Sequence, residues 1–215
     1  MSLPHTLILH GLGGSGPEHW QNWLAGELAH HGGSVDLPRF SSPDEPELST
    51  WLEELRAHLA AMPAGGSASV AGSGPVAGSG SGSGSVERVV VAHSLAVLLW
   101  LHHAAGEFDP GLRVDRVLLV APPAPDFAGE PLISGFLHPV LDPTVVRRAA
   151  VSTRLVVGEG DAYCTVAQAK EMAEALRVEV DVIVGGGHLN VDAGYGEWGA
   201  VLKWVRSGRV PVTPR

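Results

Sequence analysis

The sequence predicts an α/β fold: a single domain on a mainly parallel sheet of about six strands, with helices on both faces. Three observations carry that expectation. Six short runs rich in Val, Ile and Leu, at residues 6–9, 35–37, 89–92, 117–121, 153–157 and 178–184, have the length and composition of strands. Helical spacing of apolar residues recurs between them, and strands that alternate with helices form a parallel sheet covered on both sides. The run Val89-Val90-Val91-Ala92 has no polar break, as in a strand buried on both faces.

Taken in order, Thr6-Leu7-Ile8-Leu9 is a buried strand that leads into the loop His10-Gly11-Leu12-Gly13-Gly14-Ser15-Gly16. Pro17 then suits the first position of a helix, and Trp20, Trp23, Leu24 and Leu28 follow at helical spacing. Val35-Asp36-Leu37 is a brief second strand. Residues 38–46 form a loop, and Leu48, Trp51, Leu52, Leu55 and Leu59 mark an amphipathic helix that ends before Pro63. Residues 64–85 hold eight glycines and seven serines without a charged or aromatic side chain, a composition expected of a flexible surface insert. They do not divide the chain into domains, because the first part alone has two strands and the second opens on a strand that needs neighbours on both sides. After the strand at 117–121, residues 122–143 carry six prolines and read as an irregular excursion, with a short helix from Thr144. Thr165-Val166-Ala167-Gln168 is a capping box opening a helix through Leu176. A last helix carries Trp198, Val201, Leu202 and Val205.

The bulk numbers narrow the function. A chain of 215 residues with 45% hydrophobic content is long enough for one sizeable core. Its net charge is −9 with only 14 Lys and Arg and no basic cluster, which argues against nucleic acids and anionic membranes as partners. The single cysteine, Cys164, allows no intrachain disulfide and fits a reducing cytoplasm. The start MSLPHTLILHG is not a secretory signal, and no apolar run is long enough to span a membrane. The eleven histidines lack metal-site spacing: there is no H-E-x-x-H, and His30-His31 and His102-His103 are adjacent pairs that point different ways on helices. No metal is expected.

The chemistry centres on residues 86–106, VERVVVAHSLAVLLWLHHAAG. A buried strand and an apolar helix meet with only His93 and Ser94 to make the turn, the geometry of a nucleophile elbow. The usual pattern G-x-S-x-G is here Ala92-His93-Ser94-Leu95-Ala96, with the next smallest residue at both glycine positions. A helix N-cap is the plain alternative for Ser94. Two further residues fall just beyond carboxyl strand ends: Asp161, in Gly158-Glu159-Gly160-Asp161, and His188, after Gly185-Gly186-Gly187. Nucleophile, acid, histidine is the chain order of α/β-hydrolases. A serine hydroxyl needs a base within hydrogen-bond reach, which His188 supplies, and a carboxylate fixes the imidazole tautomer. Glu159 is the competing carboxylate, but the shorter Asp161 side chain loses less entropy in holding a ring. The backbone N–H groups of Leu95 and Leu12 are the candidate oxyanion donors.

The glycine loop also fits a rival. Gly11-x-Gly13-x-x-Gly16 with Asp36 about 20 residues on is the fingerprint of a dinucleotide site. Against it, Glu18 puts a carboxylate where a pyrophosphate needs the helix N-terminus free, and Ser94, Asp161 and His188 would have no purpose.

Together, HGLGGSGPEHWQNW, VAHSLA, GDAYC and GGGHLN resemble the small α/β-hydrolases of the retinoblastoma-binding protein 9 type, over nearly the whole chain except the Gly/Ser insert. The resemblance implies an α/β-hydrolase-like sandwich with Ser94, Asp161 and His188 as triad. The family often has D-P-Y-C where this chain has Asp161-Ala162-Tyr163-Cys164, and commonly Gly where Ala96 stands. The expectation is a cytoplasmic, cofactor-free serine hydrolase for a small-molecule acyl ester, thioester or amide, and the sequence names no protein partner. A hydrolase-shaped binding protein with weak or no turnover is the alternative, given Ala92 and Ala96.

Overall fold

The computed structural model describes residues 3–64, 86–208 and 210–215. Nearly all of the predicted flexible insert, 64–85, lies outside them. The elements alternate as expected: β1 (His5–Leu9), α1 (Trp20–His30), β2 (Ser34–Asp36), α2 (Leu48–Ala61), β3 (Arg88–His93), α3 (Leu95–Ala105), β4 (Val114–Val120), α4 (Pro143–Ala149), β5 (Ala150–Gly158), α5 (Val166–Leu176), β6 (Glu179–Ile183) and α6 (Gly199–Ser207). The strands form one sheet in the order β2-β1-β3-β4-β5-β6, and every pairing is parallel.

The period-two alternation of the strands divides the core in two. Leu7, Leu9, Val90, Ala92, Val117, Leu119, Leu155 and Val157 pack toward α2, α3, α4 and α5. Ile8, Val89, Val91, Leu118, Val120 and Val156 pack toward α1 and α6. Both faces are therefore covered, and α3, which lies over the sheet centre, is buried from Leu95 through Leu101.

Strand order reverses direction between β1 and β3, since β2 lies outside β1 while β4, β5 and β6 follow β3 on the other side. Such a switch leaves a crevice at the carboxyl ends of the two strands, where ligands of open α/β sheets bind. The loop after β1 and the turn after β3 both open there.

Several local readings need correction; the strand expected at 117–121 runs from Val114 to Val120, and Trp198 caps α6 rather than lying in it. Pro17 does not begin the first helix. Residues 17 and 18 form a turn closed by His19 N–H to Gly16 O at 3.0 Å, and α1 starts at Trp20 with His19 as N-cap. The strand expected at 153–157 begins earlier, at Ala150, directly after α4. His93 remains in β3, paired with Val120, so Ser94 alone makes the turn. The capping box is present, with Thr165 and Gln168 bonding each other's backbone amides.

Candidate active site

Ser94 sits between β3 and α3 at φ 56° and ψ −124°. That backbone is strained for a residue with a Cβ. It is held by Ser94 N–H to Val120 O at 2.9 Å and by Val97 N–H to Ser94 O at 2.9 Å. The hydroxyl makes no capping bond to α3, so the plain N-cap reading does not describe it. Ala92 and Ala96 are fully buried, and the elbow forms with alanine at both positions.

β5 and β6 supply the other two residues. Gly158 ends β5, and a Cβ there would lie 2.1 Å from Gly187 O, so only glycine lets the two loops approach this closely. Glu159 N–H to Ile183 O (2.8 Å) and Gly187 N–H to Glu159 O (3.0 Å) then tie the loops together. Asp161 Oδ2 meets His188 Nδ1 at 2.8 Å, and His188 Nε2 meets Ser94 Oγ at 2.9 Å. A carboxylate only accepts, so Nδ1 carries the proton and Nε2 is the acceptor facing the hydroxyl. The other carboxylate oxygen of Asp161 accepts from Tyr163 N–H at 2.9 Å, which fixes its plane. Glu159 instead turns to the exposed Gly185 N–H, at 3.3 Å. The structure thus brings Ser94, His188 and Asp161 into one chain of contacts and leaves Glu159 out of it.

The loop after β1 lies against Ser94. A Cβ on Gly11 would stand 2.7 Å from Ser94 Cβ. Phe40 N–H donates to His10 Nε2 at 2.8 Å, so the proton of that buried ring is on Nδ1, which donates to Gly11 O at 2.7 Å. Gly14 N–H reaches the same oxygen at 3.2 Å. In a trans peptide the next N–H points the opposite way, so the Leu12 N–H is directed away from His10. Leu95 is the first residue of α3, where an amide has no partner within the helix. Leu12 and Leu95 both line a cavity of about 210 Å³ shared with Ser94 and His188.

The features of the dinucleotide reading do not converge. Asp36 is bonded to His5, at the opposite end of β1 from Gly11, at 2.8 Å. A Cβ on Gly16 would meet nothing within 4 Å, so no close packing requires glycine there.

Sequence reasoning missed the surroundings of His188. His93 Nε2 donates to His188 O at 3.1 Å, and its ring lies 5.0 Å from His19 and 5.1 Å from His188. Burial, then the neighbouring imidazoles, holds His93 well below the usual histidine range, and His19 is pushed down to about 4 mainly by burial. Both are neutral near pH 7. The Tyr163 ring stands 4.5 Å from that of His188. For His93 the sequence signal was adjacency to Ser94; His19 had none of that kind. The Cys164 thiol is pushed up to about 12 by burial, with Asp161 and Asp126 adding to the effect, so it stays protonated and unreactive.

Comparison with known proteins places this chain in a family. The family model for serine hydrolases matches residues 6–67 and 83–207. This chain belongs to the serine hydrolase family. The break in the match, 68–82, falls inside the Gly/Ser-rich stretch. YdeN of Bacillus subtilis (strain 168) is 22% identical over 191 residues, 87% of each chain. Its crystal structure superposes with a TM-score of 0.76 at 19% identity, covering 95% of this chain and 97% of that one. A YdeN-like hydrolase from Pectobacterium atrosepticum gives 0.66 at 20% identity over 94% and 89%. A monoacylglycerol lipase from Paleococcus ferrophilus gives 0.59 at 16% identity over 96% of each chain. The fold is that of the α/β-hydrolases, and the resemblance read from the sequence holds. Among the described residues, no helix is long and apolar enough to cross a membrane.

Proposed function

We infer that the protein hydrolyses small acyl esters, thioesters or amides through an acyl-enzyme on Ser94. The observation that carries this reading is the pair of contacts His188 Nδ1–Asp161 Oδ2 at 2.8 Å and His188 Nε2–Ser94 Oγ at 2.9 Å. His188 Nε2 takes the hydroxyl proton as Ser94 Oγ bonds to the substrate carbonyl carbon. Charge developing on the carbonyl oxygen meets the Leu12 and Leu95 N–H groups. The bond to the leaving group then breaks, and the imidazolium returns its proton to that group. Water, deprotonated by the same imidazole, releases the acid and restores Ser94. Asp161 holds the tautomer and stabilises the imidazolium throughout. No cofactor enters this sequence of steps.

A fluorophosphonate probe followed by peptide mass spectrometry tests the reading. Only an activated serine attacks phosphorus at a useful rate, so the adduct is expected on Ser94 and to vanish in Ser94→Ala. A folded wild-type protein that stays unlabelled would favour the hydrolase-shaped binding protein instead.

A further inference from the structure

The stretch GSGPEHWQNW has no part in the steps above, yet its His19 reaches the cavity. His19 is the N-cap of α1: its Nδ1 accepts from Gln21 N–H at 3.3 Å. An acceptor nitrogen in a neutral ring leaves the proton on the other nitrogen, so Nε2 is a donor. Neutrality is independently supported, since burial pushes this imidazole down to about 4. Among the described residues Nε2 has no protein partner, while the ring forms part of the wall of the Ser94 cavity.

Asn190 repeats the arrangement. Its Oδ1 accepts from Ala193 N–H at 3.1 Å, which fixes the amide so that its NH₂ group is the free end. That group also has no protein partner among the described residues, and Asn190 lines the same cavity. The two segments are docked together: Trp20 Nε1–H donates to Leu189 O at 2.8 Å and Trp20 N–H to Tyr195 O at 3.3 Å. Both donors therefore stand on the His188 side of the cavity, where a leaving group receives its proton.

We propose that His19 and Asn190 form a donor wall that binds a neutral hydrogen-bond acceptor, a carbonyl or hydroxyl oxygen, on the leaving group of the acyl substrate. This rests on the hydrolase reading and adds the substrate class. The acceptor is neutral because Glu130 is the charged carboxylate among the described lining residues, and no Lys or Arg joins it.

Acetoxyacetamide and isobutyl acetate test this directly. They share the acetyl group and nearly the same shape, but only the first has an acceptor oxygen on its leaving group. Comparing the ratio of their kcat/KM values between variants cancels intrinsic reactivity. His19→Ser keeps an acceptor to cap α1 but cannot reach the cavity, and Asn190→Asp keeps the oxygen for Ala193 but loses the donor. Each is expected to lower the acetoxyacetamide to isobutyl acetate ratio roughly three- to tenfold, the size of one neutral hydrogen bond. Thermal melts and fluorophosphonate labelling of Ser94 report whether each variant keeps its fold and triad. If both esters slow alike and the ratio stays fixed, the residues only hold the loops and the donor wall is wrong. If the wild type hydrolyses neither ester and Ser94 is unlabelled, the hydrolase reading fails and the donor wall falls with it.

Discussion

Arg116, near the start of β4, is buried with each nitrogen engaged. Nε and Nη2 bond Glu87 at 2.5 and 2.8 Å, Nη1 bonds Trp204 O at 2.8 Å, and Nη2 also bonds Val205 O at 2.7 Å. At the other end of the same sheet, His19 and Asn190 each spend one side-chain atom on the backbone and line the cavity, with a second that has no protein partner among the described residues. The contrast separates two uses of a buried polar side chain. Where every group has a protein partner, as the cost of burying unpaired polar atoms demands, the residue joins α6 to the sheet. Where a donor lining the cavity has no protein partner among the described residues, the place is open to the substrate oxygen proposed above.

The largest effect expected from this contrast is at the carboxyl-terminal end. Asp161→Asn should lower kcat for p-nitrophenyl acetate by at least ~10³-fold while the protein stays folded, because the amide imposes the wrong imidazole tautomer. Glu159→Gln should lose less than about tenfold. A dead Gln variant beside an active Asn variant would assign the acid to the other carboxylate.

At the amino-terminal end the expected loss is in stability. Arg116→Met leaves the Val205 carbonyl without its donor and Trp204 O with Gly208 N–H alone, which should cost on the order of 1–3 kcal/mol. Urea unfolding measures it, and kcat per folded molecule should not change. A loss of turnover without a loss of stability would blur the distinction between the two ends.

Gly11→Ala tests the close approach of the glycine loop to Ser94. The added methyl would meet Ser94 Cβ at 2.7 Å, and displacement of an oxyanion donor by that scale costs roughly 10²-fold in turnover. Steady-state kinetics with p-nitrophenyl acetate should show the loss in kcat per folded molecule, alongside a lower melting temperature from the crowding. Unchanged kcat would remove the loop from the chemistry.

The smallest effect is on pH dependence. The buried His19 titrates at about 4 in the folded chain, against about 6.5 when unfolded. Between those values the unfolded state binds the extra proton, so stability falls as pH drops from 6.5 to 4 and His19 contributes no further loss below that. Each such proton steepens the slope by at most about 1.4 kcal/mol per pH unit. His19→Ser should therefore flatten the curve of unfolding free energy against pH by up to that amount, and an unchanged slope would show that His19 is not buried neutral.

Much of this architecture was legible in the sequence because it rests on local periodicity and order. The apolar run at 89–92 within β3, the strand-to-helix junction at Ser94 and the carboxyl-end positions of Asp161 and His188 follow from one-dimensional pattern alone. Contacts across the sheet were not legible. Nothing near Pro17 says that His19 rather than proline opens α1, since the choice depends on Trp20 docking on Leu189 and Tyr195, about 170 residues away in sequence. The G-x-G-x-x-G match misled for a similar reason. Gly11 is required by its distance from Ser94, while Gly16 meets nothing, and one motif string cannot distinguish the two causes.

A covalent acyl-enzyme on Ser94, at the carboxyl-terminal end of the sheet, is tested most directly by trapping that species. Wild-type protein mixed with p-nitrophenyl acetate, quenched in acid within the first turnover and digested, should carry an acetyl group on the peptide containing Ser94. The adduct should be absent from Ser94→Ala and should form more slowly in His188→Ala. Release of p-nitrophenol at the wild-type rate with the acetyl group on another residue, or on none, would contradict the account.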